Sequence, residues 1–340
     1  MLDPDDRLLL LDALRPPLRA DGREFFVSAS IGISVYPEDG TDAQTLLRNA
    51  DTAMHHAKRE RADIGRYASE MNARALAQLI LESELRQAVG RGELELYYQP
   101  QVDLHSGQPT GVEALLRWAH PERGLLAPGE FVALAEETGL IVEIGEWVLR
   151  AACIQAKRRL DEGLRLRVAV NGSSHQLYRQ DFAGLVHAVL QDTPLPPQLL
   201  ELEITESAAI QDVERTIASL EGLRELGVTI ALDDFGTGFS SLAQLKRLPV
   251  DKLKIDRSFV CHLTREPRDV ELTRAAIVLG HALDLKVLAE GVESPAQLER
   301  LRRLGCDEGQ GYLFGRPVPA AVFEDKFGLS RTGALQTVAA

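Results

Sequence analysis

Hydrophobic residues near the start of the chain first alternate and then recur at helical spacing. Every second residue of 25–35 is apolar, which predicts a half-buried strand. Thr41 and Gln44 have the spacing of a capping box, and apolar residues within 46–57 recur every three or four positions before the basic run 58–61. Because one strand and one or two helices cannot close a core alone, we interpret this segment as the last part of a larger α/β domain.

The next segment mixes apolar and charged residues without an internal proline. It predicts a helix over 69–91 that ends at Gly90. We therefore expect four regions: an N-terminal fragment 1–66, a linker helix 67–90, a second domain 91–327 and a tail 328–340 that has no periodicity.

From residue 94 onward, short β-type runs are separated by helical patterns, as in a parallel α/β domain. The eight predicted strands are 94–103, 110–117, 166–171, 200–205, 228–233, 251–256, 286–290 and 310–314. Eight strands in about 230 residues favour a (β/α)8 TIM-type barrel over an open dinucleotide-binding sheet, whose Gly-x-Gly-x-x-Gly segment is missing after the first strand. Only residues 105–109 join the first two runs, too few for a crossover helix. The predicted fold class is therefore α/β, a modified barrel with an antiparallel first strand.

Charge narrows the range of ligands. The chain of 340 residues has 51 acidic and 38 basic side chains and a formal net charge of −13, which argues against binding a DNA or RNA polymer. A phosphate-bearing ligand would need metal ions beside it.

The spacing of the cysteines and the hydropathy pattern favour a cytoplasmic location. Cys153, Cys261 and Cys306 are far apart, so neither a disulfide framework nor a thiolate zinc site is indicated. No apolar run approaches the ~18 to 20 residues of a membrane span, and the amino terminus lacks the layout of a signal peptide. We expect a cytoplasmic protein, whose longer parent protein is free to carry a membrane anchor upstream.

Polar and charged side chains occupy the predicted strand ends. They are Gln99, Glu113, Asn171, Glu203, Asp233, Asp234, Lys254, Glu290, Glu293 and Gln310. Taken singly, an acidic residue after a strand is most often a helix cap or a solvated loop residue. The carboxyl ends of barrel strands meet at one mouth, however, and several carboxylates share such a space only with cations between them.

Oxygen ligands without histidine or cysteine favour hard divalent ions, Mg²⁺ or Mn²⁺. The adjacent Asp233 and Asp234 indicate two ions, an arrangement that supports in-line attack at phosphorus and predicts phosphodiester hydrolysis. Period two places Lys252, Lys254 and Asp256 on one strand face. Lys252 is expected to be a solvated charge. Lys254 is interpreted as an inward ammonium that orients water or steadies negative charge, with a structural ion pair as the alternative.

The motifs around these residues resemble those of EAL-domain cyclic di-GMP phosphodiesterases. The shared motifs are Tyr98-Gln99-Pro100, Glu113-Ala114-Leu115-Leu116-Arg117-Trp118, Val170-Asn171, Glu203-Ile204-Thr205-Glu206-Ser207, the run 233–242, Leu253-Lys254-Ile255-Asp256, Ala289-Glu290-Gly291-Val292-Glu293 and Gln310-Gly311-Tyr312. They occur in order over about residues 90–325, which makes the resemblance far more specific than any single motif.

This resemblance implies hydrolysis of cyclic di-GMP to the linear dinucleotide pGpG. The implied metal ligands are Glu113, Asn171, Glu203, Asp233 and Asp234. The implied catalytic residues are Lys254, Glu290 as general base and Glu293. The implied substrate contacts are Gln99, Arg117, Asp256 and Gln310, with Arg117 on a phosphate. The implied cofactors are two Mg²⁺ or Mn²⁺ ions per active site, and Ca²⁺ is expected to inhibit.

The resemblance also implies regulation and partners. Residues 234–242 resemble the family's mobile loop that couples the metal site to dimerisation, and Glu206 matches the glutamate that anchors it. We therefore expect a homodimer formed through the barrel domain. Residues 1–66 resemble the end of a GGDEF diguanylate cyclase domain without its Gly-Gly-Asp-Glu-Phe segment, so we expect no cyclase activity from them. Sensory domains are expected upstream, in a longer parent protein.

Two other functions are weighed against hydrolysis. A non-hydrolytic cyclic di-GMP receptor is the first alternative; such a protein would lack a metal ligand or the lysine, and none is missing here. A Schiff-base aldolase is the second; it would use Lys254 but leaves the carboxylates unexplained.

Overall fold

The computed structural model describes residues 16, 18–20, 23–25, 29–59, 62–178, 181–238 and 242–327. The predicted tail 328–340 lies outside these residues. The chain divides into two compact units, one ending at Glu84 and the other beginning at Leu85.

The first unit pairs short strands beside a helix. Its elements are β1 (Leu18–Ala20), β2 (Arg23–Phe25), β3 (Ile31–Ile33), α1 (Ala43–Arg59) and β4 (Ile64–Arg66). β1 and β2 are antiparallel, and β3 and β4 are parallel. The strand predicted over 25–35 is therefore shorter than expected, and its residues 26–28 lie outside the described part of the chain. The Asp42 carboxylate accepts the Thr45 N–H at 2.9 Å and caps α1, so the predicted capping residue Thr41 is wrong by one position.

A long helix, α2 (Ser69–Arg91), runs across the boundary between the two units. It matches the helix predicted over 69–91 and ends one residue beyond the predicted Gly90. Leu85 and Ala88 are buried, as apolar residues within one helical face should be.

The second unit is a closed barrel. Its strands are β5 (Leu94–Asp103), β6 (Pro109–His120), β7 (Gly124–Leu126), β8 (Arg167–Gly172), β9 (Leu200–Thr205), β10 (Thr229–Phe235), β11 (Lys252–Ile255), β12 (Lys286–Ala289), β13 (Glu308–Gln310) and β14 (Val318–Pro319). The ring runs β5, β6, β8, β9, β10, β11, β12, β13 and back to β5, while β7 and β14 pair with its members from outside. The predicted eight-stranded barrel is thereby confirmed.

Strand direction within the ring follows the predicted modification. β5 is antiparallel to both of its ring neighbours, β6 and β13, and the other ring pairs are parallel. The eighth strand was predicted over 310–314 but covers Glu308–Gln310. Leu313 and Phe314, at the end of the predicted range, belong to a turn in which the Phe314 N–H donates to the Gly311 carbonyl.

Helices surround the barrel. They are α3 (Val132–Glu137), α4 (Ile141–Asp161), α5 (Ser174–Leu177), α6 (Phe182–Asp192), α7 (Glu206–Gln211), α8 (Val213–Glu225), α9 (Leu242–Leu245), α10 (Arg257–Cys261), α11 (Pro267–Ala282), α12 (Pro295–Leu304) and α13 (Ala320–Phe327), with 3-10 turns at Pro128–Glu130 and Pro197–Leu199. Both ends of α12 are capped: Ser294 and Gln297 form a capping box before it, and Gly305 after it adopts φ +80°. None of the helices in the described ranges has both the length and the apolar character that crossing a bilayer requires.

The barrel interior is charged. Along β11 the buried Leu253 and Ile255 alternate with Lys252 and Lys254, so the apolar pair faces the helices and the lysines face inward. The expectation that Lys252 is solvated is wrong: it is 1% exposed, because carboxylates from β9 and β13 neutralise it inside the barrel.

Candidate active site

The carboxyl ends of the parallel strands bring most of the predicted residues together at one mouth. Lys254 is at the centre, fully buried on β11. Its Nζ lies 2.8 Å from the Glu203 Oε2 of β9, 3.1 Å from the Asp233 Oδ2 of β10 and 2.8 Å from the Glu290 Oε1 that follows β12. β9 and β11 are not neighbours in the ring, so the contact between Glu203 and Lys254 must cross the barrel interior. The cluster therefore lies inside the barrel.

A second row of contacts joins the first strands to the last one. Glu113 on β6 accepts a hydrogen bond from the Asn171 amide of β8 at 2.7 Å and another from the Gln310 amide of β13. Gln310 also donates to Gln99 at 3.1 Å, and the Gln99 amide donates to the Gly315 carbonyl at 3.0 Å. Glu113 is therefore held by two amides, one on each side.

The chemistry of the oxygens fits a hard divalent cation. Asp233, Asp234 and Glu290 can each offer a carboxylate oxygen within 4.8 Å of the others. Asp234, near the end of β10, has φ +55°, a left-handed backbone that is uncommon for residues other than glycine. Gln310 Oε1 is buried and has no hydrogen-bond partner among the described residues. The cluster therefore holds both charge and acceptor atoms for a cation.

Electrostatics at the mouth are dominated by burial and by one shared lysine. Burial opposes the charge of Lys254, but the carboxylates of Asp233, Glu203 and Glu290 outweigh it and raise the pKa of the ammonium well above its ordinary value. Burial, reinforced by neighbouring carboxylates, raises the pKa of Glu203. Because one lysine is shared among so many acids, ionisation of all of them would leave the cluster with excess negative charge.

The pKa values of the remaining acids in the cluster shift in different directions. Burial opposes ionisation of Glu113, but Lys254 and the two amides outweigh it and lower the pKa of Glu113. Burial, with Asp233 and Asp256 nearby, raises the pKa of Asp234. Burial, with Asp233 and Glu113 acting against Lys254, raises the pKa of Glu290 to about 8.

The raised pKa of Glu290 predicts a pH dependence of stability in the metal-free protein. The folded state holds a proton on Glu290 up to about pH 8, compared with an ordinary pKa of 4.5, so this stabilisation is complete below pH 4.5 and is lost as pH rises towards 8. In EDTA, we expect the melting temperature to fall by several degrees between pH 5 and pH 8.5. Differential scanning fluorimetry of the wild type and Glu290→Gln checks this, since the variant should show a flatter profile. Equal slopes for the two proteins would contradict the assignment.

The predicted loop anchor lies beneath the turn that follows β10. Glu206, 1% exposed, accepts the backbone N–H groups of Gly236 at 2.9 Å and Gly238 at 3.4 Å. A side chain on Gly236 would meet the Phe259 ring at 2.5 Å, so the turn needs glycine there. Residues 239–241 of the predicted loop lie outside the described part of the chain.

A cleft of about 230 Å³ opens over the cluster. It is lined by Gln99, Glu113, Leu115, Asp233, Arg257, Glu290, Gly291, Glu293, Gln310, Gly311 and Tyr312. Arg257 was missed in the sequence, although a basic residue directly after a strand-end lysine motif is a signal that could have found it. The structure admits it because Gly291 leaves room: a side chain there would meet the Arg257 Cβ at 2.7 Å.

Two predicted substrate residues lie outside the innermost contacts. Arg117 is half-buried, donates to the Leu116 carbonyl at 2.8 Å and lies over the Tyr97 ring. Asp256 caps α10 by accepting the Ser258 N–H at 3.0 Å. Glu293 is exposed at the rim of the cleft.

A larger cleft, of about 740 Å³, lies at the opposite end of the barrel. It is lined by residues from the amino-terminal ends of the strands, among them Thr229, Asp251 and Lys286. Barrel active sites form at the carboxyl ends of the strands, so the smaller acidic cleft is the candidate site.

An eight-stranded barrel with an antiparallel first strand and an acidic mouth defines a narrow structural class. Residues 82–317 match the family model described as EAL domain, and residues 8–63 match the one described as diguanylate cyclase, GGDEF domain. The chain belongs to the EAL domain family.

Its relatives include two proteins of Pseudomonas aeruginosa. The cyclic di-GMP phosphodiesterase NbdA is 45% identical over 93% of this chain and 41% of its own length. The bifunctional diguanylate cyclase/cyclic di-GMP phosphodiesterase MucR is 48% identical over 92% of this chain and 46% of its own length. The chain thus spans less than half the length of either relative.

A solved structure resembles the barrel unit. The PaMucR phosphodiesterase in complex with c-di-GMP is 49% identical, with a TM-score of 0.70, over 72% of this chain and 99% of that chain. The similarity extends over the whole of that solved chain.

Proposed function

We propose that the chain hydrolyses cyclic di-GMP to linear pGpG by using a water molecule and two divalent ions, Mg²⁺ or Mn²⁺. The observation that carries the proposal is the buried Lys254 ammonium within 3.1 Å of three carboxylates at the barrel mouth. The names of NbdA and MucR and the ligand of the PaMucR structure support this choice of substrate.

The donors for the two ions are a set of acidic and amide oxygens. They are Glu113, Asn171, Glu203, Asp233 and Asp234. When bound, the ions supply Lewis-acid stabilisation of charge on the phosphoryl group and lower the pKa of the attacking water. Glu113 is presented by two amide donors, which fixes the direction of its carboxylate before any ligand binds.

Lys254 and Glu290 act on the proton of the attacking water and on the negative charge of the transition state. Lys254 keeps its ammonium form because three acids surround it, so it can orient water and stabilise negative charge in the transition state. Glu290, whose carboxyl is 2.8 Å from Lys254, is placed to accept the proton of the attacking water as general base once bound cations favour its ionised form, with Glu293 at the rim in support. Burial makes these interactions stronger than they would be in solvent.

The substrate is held around the rim of the cleft. Gln99 and Gln310 present amides from β5 and β13, and Asp256 is the third polar contact. Arg117 offers a guanidinium fork for a phosphate. We propose that two copies associate through the barrel unit and that Glu206 couples this contact to the metal site through the backbone of Gly236 and Gly238.

Chromatography of reaction products tests the proposal. The protein incubated with cyclic di-GMP and Mn²⁺ or Mg²⁺ should give a product that co-elutes with pGpG, and EDTA should abolish it. Ca²⁺ should support binding of the nucleotide but not turnover. If no pGpG forms at concentrations where the protein is dimeric, the proposal is wrong; tight binding in Mg²⁺ without product would identify a receptor instead.

A further inference from the structure

A second set of buried charges lies one layer below the candidate active site. Arg167 Nε is 2.9 Å from Glu201, and its Nη2 is 3.4 Å from Glu308. Lys252 Nζ is 3.0 Å from Glu201 and 2.7 Å from Glu308. Two cations thus face two carboxylates, so this lower layer is balanced in charge. Each member has two partners of opposite sign within the layer, and the exposed Lys286 lies 3.9 Å from Glu308 as a third, so several contacts fix the geometry of the layer.

The upper layer is different, because in the part of the chain that the structure describes one ammonium, that of Lys254, faces several carboxylates. Glu203 is its most buried acid, with Oε2 at 2.8 Å from Lys254. The other oxygen, Oε1, accepts a hydrogen bond from the Gln101 amide at 3.4 Å. Gln101 therefore helps to set where the second oxygen of a proposed metal ligand lies, together with the hydrogen bond between Glu203 and Glu113.

Gln101 joins the two layers. It is fully buried on β5, and its Oε1 accepts a hydrogen bond from Lys252 at 3.3 Å. An ammonium can only donate a hydrogen bond, so the amide oxygen of Gln101 must face Lys252, and the amide nitrogen is left to face Glu203. The balanced layer thus fixes the orientation of the amide, and the amide fixes the carboxylate above it.

We propose that Gln101 is a positioning residue that holds Glu203 in the orientation needed for metal binding. The inference rests on the proposed function, since Glu203 is one of its metal ligands. Residues that orient a metal ligand typically change metal affinity or activity by 10- to 100-fold when they are removed. Gln101 lies away from the cleft and acts only through Glu203.

Calorimetric titration of the metal-free protein with Mn²⁺, without nucleotide, tests the role. Gln101→Met keeps the volume of the side chain and removes both hydrogen bonds. We expect it to weaken Mn²⁺ binding about 10-fold. Gln101→Asn keeps an amide that is one methylene too short to reach both partners, and it should give a smaller loss in the same direction; it decides the matter if Gln101→Met does not fold.

The matched control is Gln155→Met. Gln155 on α4 donates to the Glu324 carboxylate outside the barrel, so its replacement removes the same type of bond away from the mouth. The control should keep wild-type Mn²⁺ affinity, whatever its melting temperature. If folded Gln101 variants bind Mn²⁺ within twofold of the wild type, the positioning role is overturned and the proposed function stands. If the wild type itself shows no saturable Mn²⁺ binding, both are overturned.

Discussion

Lys254→Met is expected to lower the turnover of cyclic di-GMP by about 10³-fold while binding of the nucleotide in Ca²⁺ is retained. The methionine keeps most of the volume of the lysine but removes the ammonium that contacts Glu203, Asp233 and Glu290 together. The transition state gains negative charge that the ground state lacks, so loss of the ammonium affects turnover more than binding. Steady-state kinetics and calorimetry on the same preparation separate the two effects.

The same substitution has a cost in stability. Removal of one partner from a buried ion pair typically costs about 3 to 5 kcal/mol, because the remaining charges stay buried without compensation. We therefore expect a lower melting temperature in EDTA and partial recovery when a divalent ion is added. Lys286→Met is the control. Lys286 is 64% exposed at the amino-terminal end of β12, away from the mouth, so this variant should keep full activity. Equal loss of binding and turnover in Lys254→Met would mean that the lysine is structural.

The fold was predictable because its strands carry strong patterns. β5 and β9 have the predicted bounds, 94–103 and 200–205, and the short link after β5 required the antiparallel pair. β13 was misplaced because Glu308-Gly309-Gln310 has no apolar alternation of its own. Its side chains form ion pairs and hydrogen bonds inside the barrel with residues of strands that are distant in sequence.

The candidate site was predictable to the extent that each residue follows a strand. The structure brings Glu113, Glu203, Asp233, Lys254 and Glu290 into one interior cluster. What the sequence could not give is the layer beneath them. Lys252 looked like a solvated lysine because its neutralising acids, Glu201 and Glu308, are 51 and 56 positions away along the chain.

Asp234→Asn is expected to have opposite effects on function and on stability. The left-handed backbone at this position, φ +55°, is one that asparagine tolerates as well as aspartate, so the substitution changes charge without straining the chain. Burial and the neighbouring Asp233 raise the pKa of Asp234, which means that the folded state disfavours its charge. In EDTA at pH 7.5, the variant should therefore melt at a higher temperature than the wild type.

Asp234→Asn also removes a carboxylate ligand from the cluster of Asp233, Asp234 and Glu290. We therefore expect turnover to fall by about 10² to 10³-fold. We also expect Mn²⁺ to raise the melting temperature of the variant less than that of the wild type. Asp284→Asn is the control, because Asp284 also has a left-handed backbone, φ +59°, but lies at the opposite end of the barrel. Scanning fluorimetry with and without Mn²⁺, together with product chromatography, gives both readings. A variant that is less stable in EDTA yet still gains fully from Mn²⁺ would show that Asp234 is a structural turn residue, because a group kept for metal binding should cost stability when the metal is absent.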